Sequence, residues 1–432
     1  MDTHAPAPSR LTPLLVALCV VVTAVGVAWP AWDMFGPERR PMLQGWDDSF
    51  YYFWLPSVVI DGDLDFTNQL EQASTLHTGV RDDALSAPRT DTGFVVNKYP
   101  PGWALGSLPF FLLAHAFAPA DSTGFEPIYL SAVWLGQLLY AAAGLWLACR
   151  IVARFLPATA APATLVVWLA SPLIYYQTAR LSMSHSQVFA LAMLAFWSAL
   201  RIRESNTPAP RFWALLGFAS AMLFVTRNVA LIYLAMPAAV ILPHLRSARA
   251  IAALVAGAAL PAALQLIAWR ILFGSWIAYT YGGERFDFSH FYLFEVLFSP
   301  RHGWFYWHPL LLPSIAAFAF WGWRRLEGIT WLLSLALIVT LHAAWPTWWL
   351  GSSFGYRGFE VPTLFAMIGF AALLTTAAPR KPLRIAATAA ALLAVVWNLA
   401  LFALFLTQRI PRQDPVTYSD AAQALLHWFA SP

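Results

Sequence analysis

Long hydrophobic stretches constrain the fold of this 432-residue chain more than any other feature. Hydrophobic residues make up 59% of the chain and charged residues only 11%, which is typical of polytopic membrane proteins. A membrane-spanning helix needs about 20 apolar residues. By that measure the sequence predicts spanning helices at 12–32, 127–149, 160–178, 184–200, 212–226, 228–243, 250–272, 304–322, 328–345, 359–378 and 384–406. The predicted fold class is therefore all-α, a polytopic membrane helical bundle.

The first stretch is interpreted as a signal anchor, because its apolar run is long and no small-residue cleavage site precedes Trp29. We expect one transmembrane domain over 1–432, with a first extracytoplasmic loop at 33–126 and an external tail at 407–432. Cys19 and Cys149 belong to separate hydrophobic segments, so a disulfide framework is not expected.

The segment 100–118 decides the membrane topology, because it is long enough to cross but opens with two prolines. If it lies in the membrane interface, every second short loop carries at least two Lys or Arg residues. The positive-inside rule then places the N-terminus in the cytoplasm and nearly all carboxylates outside. We therefore expect the chemistry to face away from the cytoplasm.

An acid-rich segment follows the first hydrophobic stretch, from Asp33 to about Asn97. Its aspartates include Asp47 and Asp48, and they stand beside the aromatic run at 50–53. Carboxylates at a lipid boundary are costly and are usually functional. This segment is where the sequence predicts the chemistry.

Five motifs follow one another along the chain: WDDSFYYFWLPSVVIDGDLDF, NKYPPG, SPLIYYQTARLSMSHS, FSPRHGWFYWHPLLLP and GSSFGYRGFEVP. Their order resembles the GT-C superfamily of integral-membrane glycosyltransferases, in particular the bacterial branch related to protein O-mannosyltransferases and the lipid A aminoarabinose transferase. The resemblance covers roughly residues 10–400. It implies a GT-C-type bundle with interfacial helices in the first external loop, a polyprenyl-phosphate sugar donor and an acidic catalytic residue in that loop.

Inverting sugar transfer needs a carboxylate that takes the proton of an acceptor hydroxyl, and positive charge for the leaving phosphate. Asp47 matches the first acid of the family's acidic pair, so we expect it to be the general base, with Asp48 as the alternative. The pair can also divide the work if one acid raises the pKa of the other. The competing interpretation is a capping role for one acid at a helix that starts near Ser49.

Basic residues at the predicted outer surface are candidates for binding the leaving phosphate: Lys98, Arg180, Arg227, Arg301 and Arg357. Lys98 and Tyr99 resemble the family's Lys/Tyr-Pro element near the donor phosphate, and Tyr356 and Arg357 resemble its external Gly-x-Arg element. Contact with lipid headgroups is the competing interpretation for each arginine. Glu360 is a candidate partner for Arg227.

Two histidines, His185 and His302, are candidates for binding the donor phosphate or a metal, although a lone histidine is more often structural. Tyr52 belongs to a set of aromatic residues that can stack on a sugar or line a prenyl groove, and an interfacial belt accounts for most of that set. Whether the protein needs a divalent cation is left open by the sequence. The acidic run 61–65 resembles the start of a calcium loop but lacks the glutamate that should follow at position 72. We interpret it as a polar turn that ends a helix over 50–60.

Two other classes of function compete with a glycosyltransferase. A polysaccharide polymerase or ligase for lipid-linked glycans should have its large external loop late in the chain. A transporter or flippase should keep ionisable residues near the bilayer midplane. The expected partners are a polyprenyl-phosphate-linked sugar donor, an acceptor that is a glycan, a lipid or a protein, and membrane lipids. The sequence indicates no nucleic-acid module.

Overall fold

The structure is a computed structural model that describes residues 11–35, 43, 46–76 and 87–430. Within those ranges the chain is helical, and its extended pairing is limited to one isolated antiparallel bridge between Arg89 and Val95. The predicted all-α fold class is confirmed. In chain order the α-helices are α1 (Leu11–Phe35), α2 (Trp46–Pro56), α3 (Thr67–Leu76), α4 (Gly102–His115), α5 (Pro127–Phe155), α6 (Ala160–Leu169), α7 (His185–Arg203), α8 (Pro210–Thr226), α9 (Ala235–Ile241), α10 (Ala248–Phe273), α11 (Leu293–Phe298), α12 (Trp304–Trp307), α13 (Leu311–Gly322), α14 (Leu326–Ala343), α15 (Thr363–Ala377), α16 (Lys381–Leu406) and α17 (Tyr418–Ala430).

Short helical turns of other types lie between these helices. Two are π-helical, Ser57–Asp61 and Tyr175–Ala179. Three are 3-10 helices, Asn228–Leu234, Leu242–His244 and Arg357–Phe359.

The chain divides into two compact units, each built from separate stretches of sequence. The terminal unit consists of Met1–Gly26, Leu145–Ala179 and Arg285–Pro432. The central unit consists of Val27–Gly144 and Arg180–Glu284. The acid-rich segment therefore belongs to the central unit.

Four described helices are long and apolar enough to cross a membrane, by length and composition: Thr12–Trp32, Pro127–Phe155, Ala248–Phe273 and Lys381–Leu406. They correspond to the predicted spans 12–32, 127–149, 250–272 and 384–406.

The other predicted spans are shorter, less apolar or interrupted. The span predicted at 304–322 is two helices, α12 and α13, with a break at His308. Pro309 follows His308, and a proline disfavours helical conformation in the residue before it. The span predicted at 228–243 alternates between 3-10 and α-helical turns.

The ambiguous segment 100–118 contains α4, which has 14 residues. At 1.5 Å per residue such a helix is about 21 Å long, shorter than the roughly 30 Å hydrocarbon core of a bilayer. Its expected place in the interface remains a prediction, and α4 alone is too short to cross.

Helix α2 forms the centre of the hydrophobic core of the central unit. Its residues Phe50 to Leu55 are all buried, because apolar side chains surround the helix axis. The helix continues into the π turn and stops at Gly62, whose φ of 72° is left-handed. A polar turn therefore ends this helix at 61–65, as predicted.

The start of α2 differs from the predicted one. The helix begins at Trp46, so Asp47 and Asp48 lie inside its first turn and do not precede it. Negative charge is favoured in the first turn because the helix dipole is positive there. The alternative in which one acid caps a helix near Ser49 therefore has the wrong boundary.

Helices α8 and α10 pack closely against each other, and the residues that follow each of them belong to the candidate site. A Cβ added at Gly217 would lie 1.9 Å from the carbonyl oxygen of Leu254, and one at Gly257 would lie 2.0 Å from that of Ala214. Only glycine permits this approach, as is common where membrane helices pack closely. Arg227 follows α8 directly, and the loop 274–284 follows α10.

Candidate active site

Asp47 is more accessible than its neighbour Asp48 in the central unit. It lies in the first turn of α2 and is partly buried. The hydroxyl of Tyr99 donates a hydrogen bond to Asp47 Oδ1 over 2.5 Å. A general base must be held in place and still be reached by substrate. Asp47 meets both conditions.

Asp48 has a different environment. Its side chain is fully buried, and its Oδ2 lies 3.2 Å from Nη2 of Arg180. The hydroxyl of Ser182 donates a further hydrogen bond to the same oxygen over 3.0 Å. A buried carboxylate needs such partners, because an uncompensated charge in the interior is strongly destabilising. Arg180, a phosphate candidate from the sequence, is thus the partner of Asp48.

The segment 97–102 carries Lys98 and Tyr99 and is tied to α2. The side chain of Asn97 donates to the carbonyl of Phe50 over 2.9 Å and accepts from the Tyr99 N–H over 3.0 Å. The indole of Trp54 donates to the carbonyl of Tyr99 over 3.2 Å. Tyr99 is therefore fixed on both sides of its backbone.

A buried glutamine joins the end of this segment to the end of α8. Gln187 donates to the carbonyl of Gly102 over 2.7 Å and to the hydroxyl of Thr226 over 3.0 Å. The backbone of Gly102 lies close to that of Thr226, since a Cβ added at Gly102 would lie 2.4 Å from the backbone nitrogen of Thr226. Arg227 follows Thr226 in the chain, so the hydrogen bonds of Gln187 link the end of α8, where Arg227 lies, to segment 97–102.

Lys98 is half-exposed and already has an anionic partner. Its Nζ donates to Glu284 Oε1 over 2.6 Å, and the two side chains are 34% and 47% exposed. The same ammonium lies 5.6 Å from the ring centre of Tyr99 and 5.5 Å from that of Tyr281. Glu284 was not predicted from the sequence, because 186 residues separate the pair and no local pattern joins them.

The charge of Arg227 acts on Tyr281, whose ring lies beside Lys98. Burial raises the pKa of Tyr281 above its ordinary value, and the charges of Asp47 and Glu284 raise it further, while the charge of Arg227 opposes them. Arg227 is partly buried at the end of α8. The charges of Asp47, Glu284 and Arg227, which come from distant parts of the sequence, therefore all act on Tyr281.

Tyr52 and His185 lie inside the same unit. Tyr52 is 1% exposed, its hydroxyl donates to the carbonyl of Gly124, and its ring packs against Phe111 and Phe125. His185 is the first residue of α7 and is equally buried. These positions give Tyr52 a packing role in the core.

The terminal unit holds the other candidates, beginning with Arg301 and His302. Nε of Arg301 donates to the carbonyl of Gln413 over 2.5 Å, and its guanidinium lies 4.1 Å from the ring centre of Trp349. His302 is fully buried, and its Nδ1 bonds to the carbonyl of Trp349 over 2.8 Å. Burial lowers the pKa of His302 to about 4, so the ring is neutral at pH 7 and offers a phosphate no positive charge.

Tyr356 and Arg357 lie in the same unit as His302. Tyr356 is fully buried, with its hydroxyl 3.4 Å from Nδ1 of His342. Arg357 opens a 3-10 turn and is partly buried, and its charge contributes to the low pKa of His302. The suggested pairing of Arg227 with Glu360 stays a prediction.

Among the described residues, no group of three or more His, Cys, Asp or Glu side chains is arranged to hold a metal ion. A small pocket in the central unit is lined by Lys98 and Tyr99 together with Trp54, Asn97, Pro100, Gln265, Ala268, Trp269, Leu272, Phe273 and Thr280. Its walls are mainly apolar and aromatic, and Lys98 is the one charged side chain among the described residues that line it.

Comparison with known proteins gives similarity at the level of structure. No family model and no curated protein matches the sequence. ArnT from Cupriavidus metallidurans in the apo state is similar with 15% identity and a TM-score of 0.49, over 96% of this chain and 74% of that chain. The structure of the same protein bound to undecaprenyl phosphate gives 13% identity and a TM-score of 0.49, over 98% and 76%. The functional proposal below rests on the residues of the site.

Proposed function

We propose that this protein is a membrane glycosyltransferase that moves a sugar, with inversion, from a polyprenyl-phosphate donor to a glycan, lipid or protein acceptor on the extracytoplasmic side. The observation that carries the proposal is that the hydroxyl of Tyr99 bonds to a partly buried carboxylate, Asp47, while the ring of the same tyrosine lies 5.6 Å from the ammonium of Lys98. A base and cations for a leaving phosphate are the two requirements of such a transfer.

In the proposed reaction Asp47 takes the proton of an acceptor hydroxyl. The acceptor oxygen forms a bond to the anomeric carbon of the donor sugar, and the bond from that carbon to the phosphate oxygen breaks on the opposite face. The electron pair and negative charge leave with the polyprenyl phosphate. Lys98 and Arg227 are the groups that would stabilise this charge, Lys98 as a point charge and Arg227 as a planar fork.

Asp47 is preferred over Asp48 because of their environments. Asp48 is enclosed and paired with Arg180, so a substrate hydroxyl would have to displace a buried ion pair to reach it. Asp47 is only partly buried and is bonded to a neutral phenol. In this proposal Asp47 has the chemical role of the acidic pair and Asp48 has a structural role.

The proposal is tested by incubating purified protein with a panel of radiolabelled polyprenyl-phosphate sugars and extracted envelope glycans, lipids and proteins as acceptors. Transfer by the wild type and its loss in Asp47→Asn is the expected result. If folded protein transfers no sugar from any donor, the proposal fails, and the transporter and polymerase classes become the better candidates.

Glu284 is expected to compete with the donor phosphate for Lys98. Replacement by glutamine keeps the side-chain shape and removes the charge, so we expect Glu284→Gln to lower the Kd for polyprenyl phosphate by about threefold, the scale of one exposed ion pair. The gain should shrink at high ionic strength. Titration calorimetry in detergent at two salt concentrations measures both effects.

Glu204→Gln is the matched control, because Glu204 also forms an exposed ion pair in the central unit, with Arg201 at 3.7 Å. Its Kd should equal that of the wild type. Weaker binding in Glu284→Gln would mean that Glu284 orients Lys98 for the donor and does not compete with it.

A further inference from the structure

Tyr99 is bound to Asp47 too firmly to act as a simple substrate contact. Its ring is 8% exposed and packs on Tyr51 with 4.6 Å between ring centres. Its backbone is held by Asn97 and Trp54, as described above. Its hydroxyl is already used in the 2.5 Å hydrogen bond to Asp47. The Tyr99 hydroxyl that donates this hydrogen bond is therefore fixed in place before any substrate arrives.

The phenol of Tyr99 also keeps its proton over the whole working range of an enzyme. Burial raises the pKa of Tyr99 well above its ordinary value, and the negative charge of Asp47 raises it further. The hydrogen bond therefore runs in one direction, from Tyr99 to the carboxylate. A hydrogen bond donated to a carboxylate favours its charged form.

We propose that Tyr99 is the positioning residue of the general base: its hydroxyl holds Oδ1 of Asp47 and keeps the carboxylate charged. This inference rests on the proposed function, in which Asp47 is the base. It replaces the expectation from the sequence that Tyr99 binds the donor phosphate. Lys98, the neighbouring residue, keeps that part.

The groups around Asp47 determine how the test must be designed. From α2 these are Asp48 and Tyr51, and from the segment of Tyr99 Lys98. The loop before α7 contributes Arg180, the end of α8 Arg227, and the loop after α10 Tyr281 and Glu284. Asp48 and Glu284 are carboxyl groups like Asp47, so its signal must be assigned separately.

The titration of Asp47 can be followed directly by infrared difference spectroscopy of the full-length protein in lipid nanodiscs, with the band assigned by its absence in Asp47→Asn. We expect the midpoint of this titration to move upward by about one pH unit in Tyr99→Phe, which loses one hydrogen bond to a charged group. Tyr140→Phe is the control: it removes a hydroxyl that donates to the carbonyl of Gly106 in the same unit, and the midpoint should stay in place.

A second variant covers the case in which Tyr99→Phe fails to fold. Incorporation of 3-fluorotyrosine at position 99 keeps the ring and the hydroxyl but makes the phenol a stronger donor. The midpoint of Asp47 should then move downward, opposite to the shift in Tyr99→Phe. An unchanged midpoint in either folded variant overturns the inference.

The kinetic result separates this inference from the proposed function. In Tyr99→Phe the acid limb of kcat/KM should move upward with the titration of Asp47, while the KM for the donor stays unchanged. A raised KM with an unmoved limb would instead make Tyr99 a donor-binding residue and overturn its positioning role. If the midpoint shifts but the wild type transfers no sugar, the link between Tyr99 and Asp47 stands and the proposed function fails.

Discussion

Asp47→Asn is expected to slow sugar transfer by about a thousandfold and to leave donor binding unchanged. A positioned general base contributes roughly a hundredfold to ten-thousandfold to a rate, and an amide cannot take the acceptor proton. Asparagine has the same shape, and its side-chain oxygen can still accept the hydrogen bond from Tyr99. The measurement is kcat with saturating donor, together with the Kd for polyprenyl phosphate.

Asp65→Asn is the control for this experiment. Asp65 belongs to the same acid-rich segment, but its carboxylate accepts hydrogen bonds from Thr67 at the start of α3. Its removal should leave kcat unchanged. Wild-type turnover in Asp47→Asn would exclude Asp47 as the base, and an equal loss of turnover and donor binding would make it a binding residue.

Arg180→Leu is expected to lower the free energy of unfolding by about 3 kcal/mol, because it leaves the fully buried carboxylate of Asp48 without its cation. Ser182 still donates a hydrogen bond to this carboxylate, but a neutral donor does not balance the charge. Unfolding by a titration with sodium dodecyl sulfate in mixed micelles measures the loss.

The double variant Asp48→Leu with Arg180→Leu should recover most of that stability, since replacing both partners of a buried pair by apolar residues is often nearly neutral. This cycle distinguishes a structural pair from a phosphate-binding arginine. If Arg180→Leu has wild-type stability but a higher Kd for polyprenyl phosphate, Arg180 acts on the donor as first expected from the sequence.

Local sequence was enough to predict several elements. The polar turn at 61–65 ends the helix that contains 50–60, because glycine at position 62 adopts the left-handed conformation that stops a helix. The four longest apolar runs are helices of spanning length, since hydrophobic content over about 20 residues needs no distant contact to be recognised.

Helix interruptions were harder to predict than helices. The run 304–322 reads as one span by hydropathy, yet it breaks at His308, whose Nδ1 bonds to the side chain of Asn398 over 2.8 Å. Pro309 disfavours helical conformation at His308, and a hydropathy window, which averages apolar content over the whole run, does not record that local effect.

The sequence by itself determined that this chain is an all-helical membrane protein, because composition decides it, and it predicted the chemistry among the acids behind the first apolar helix. Only the tertiary structure showed how the environments of the two adjacent aspartates differ. Asp47 and Asp48 are adjacent and chemically identical, and they differ only in what folding brings to them: Tyr99 from 52 residues away and Ser182 from 134 residues away, with Arg180 beside it. Burial and long-range partners set the behaviour of a carboxylate, and neither is encoded in its immediate neighbours.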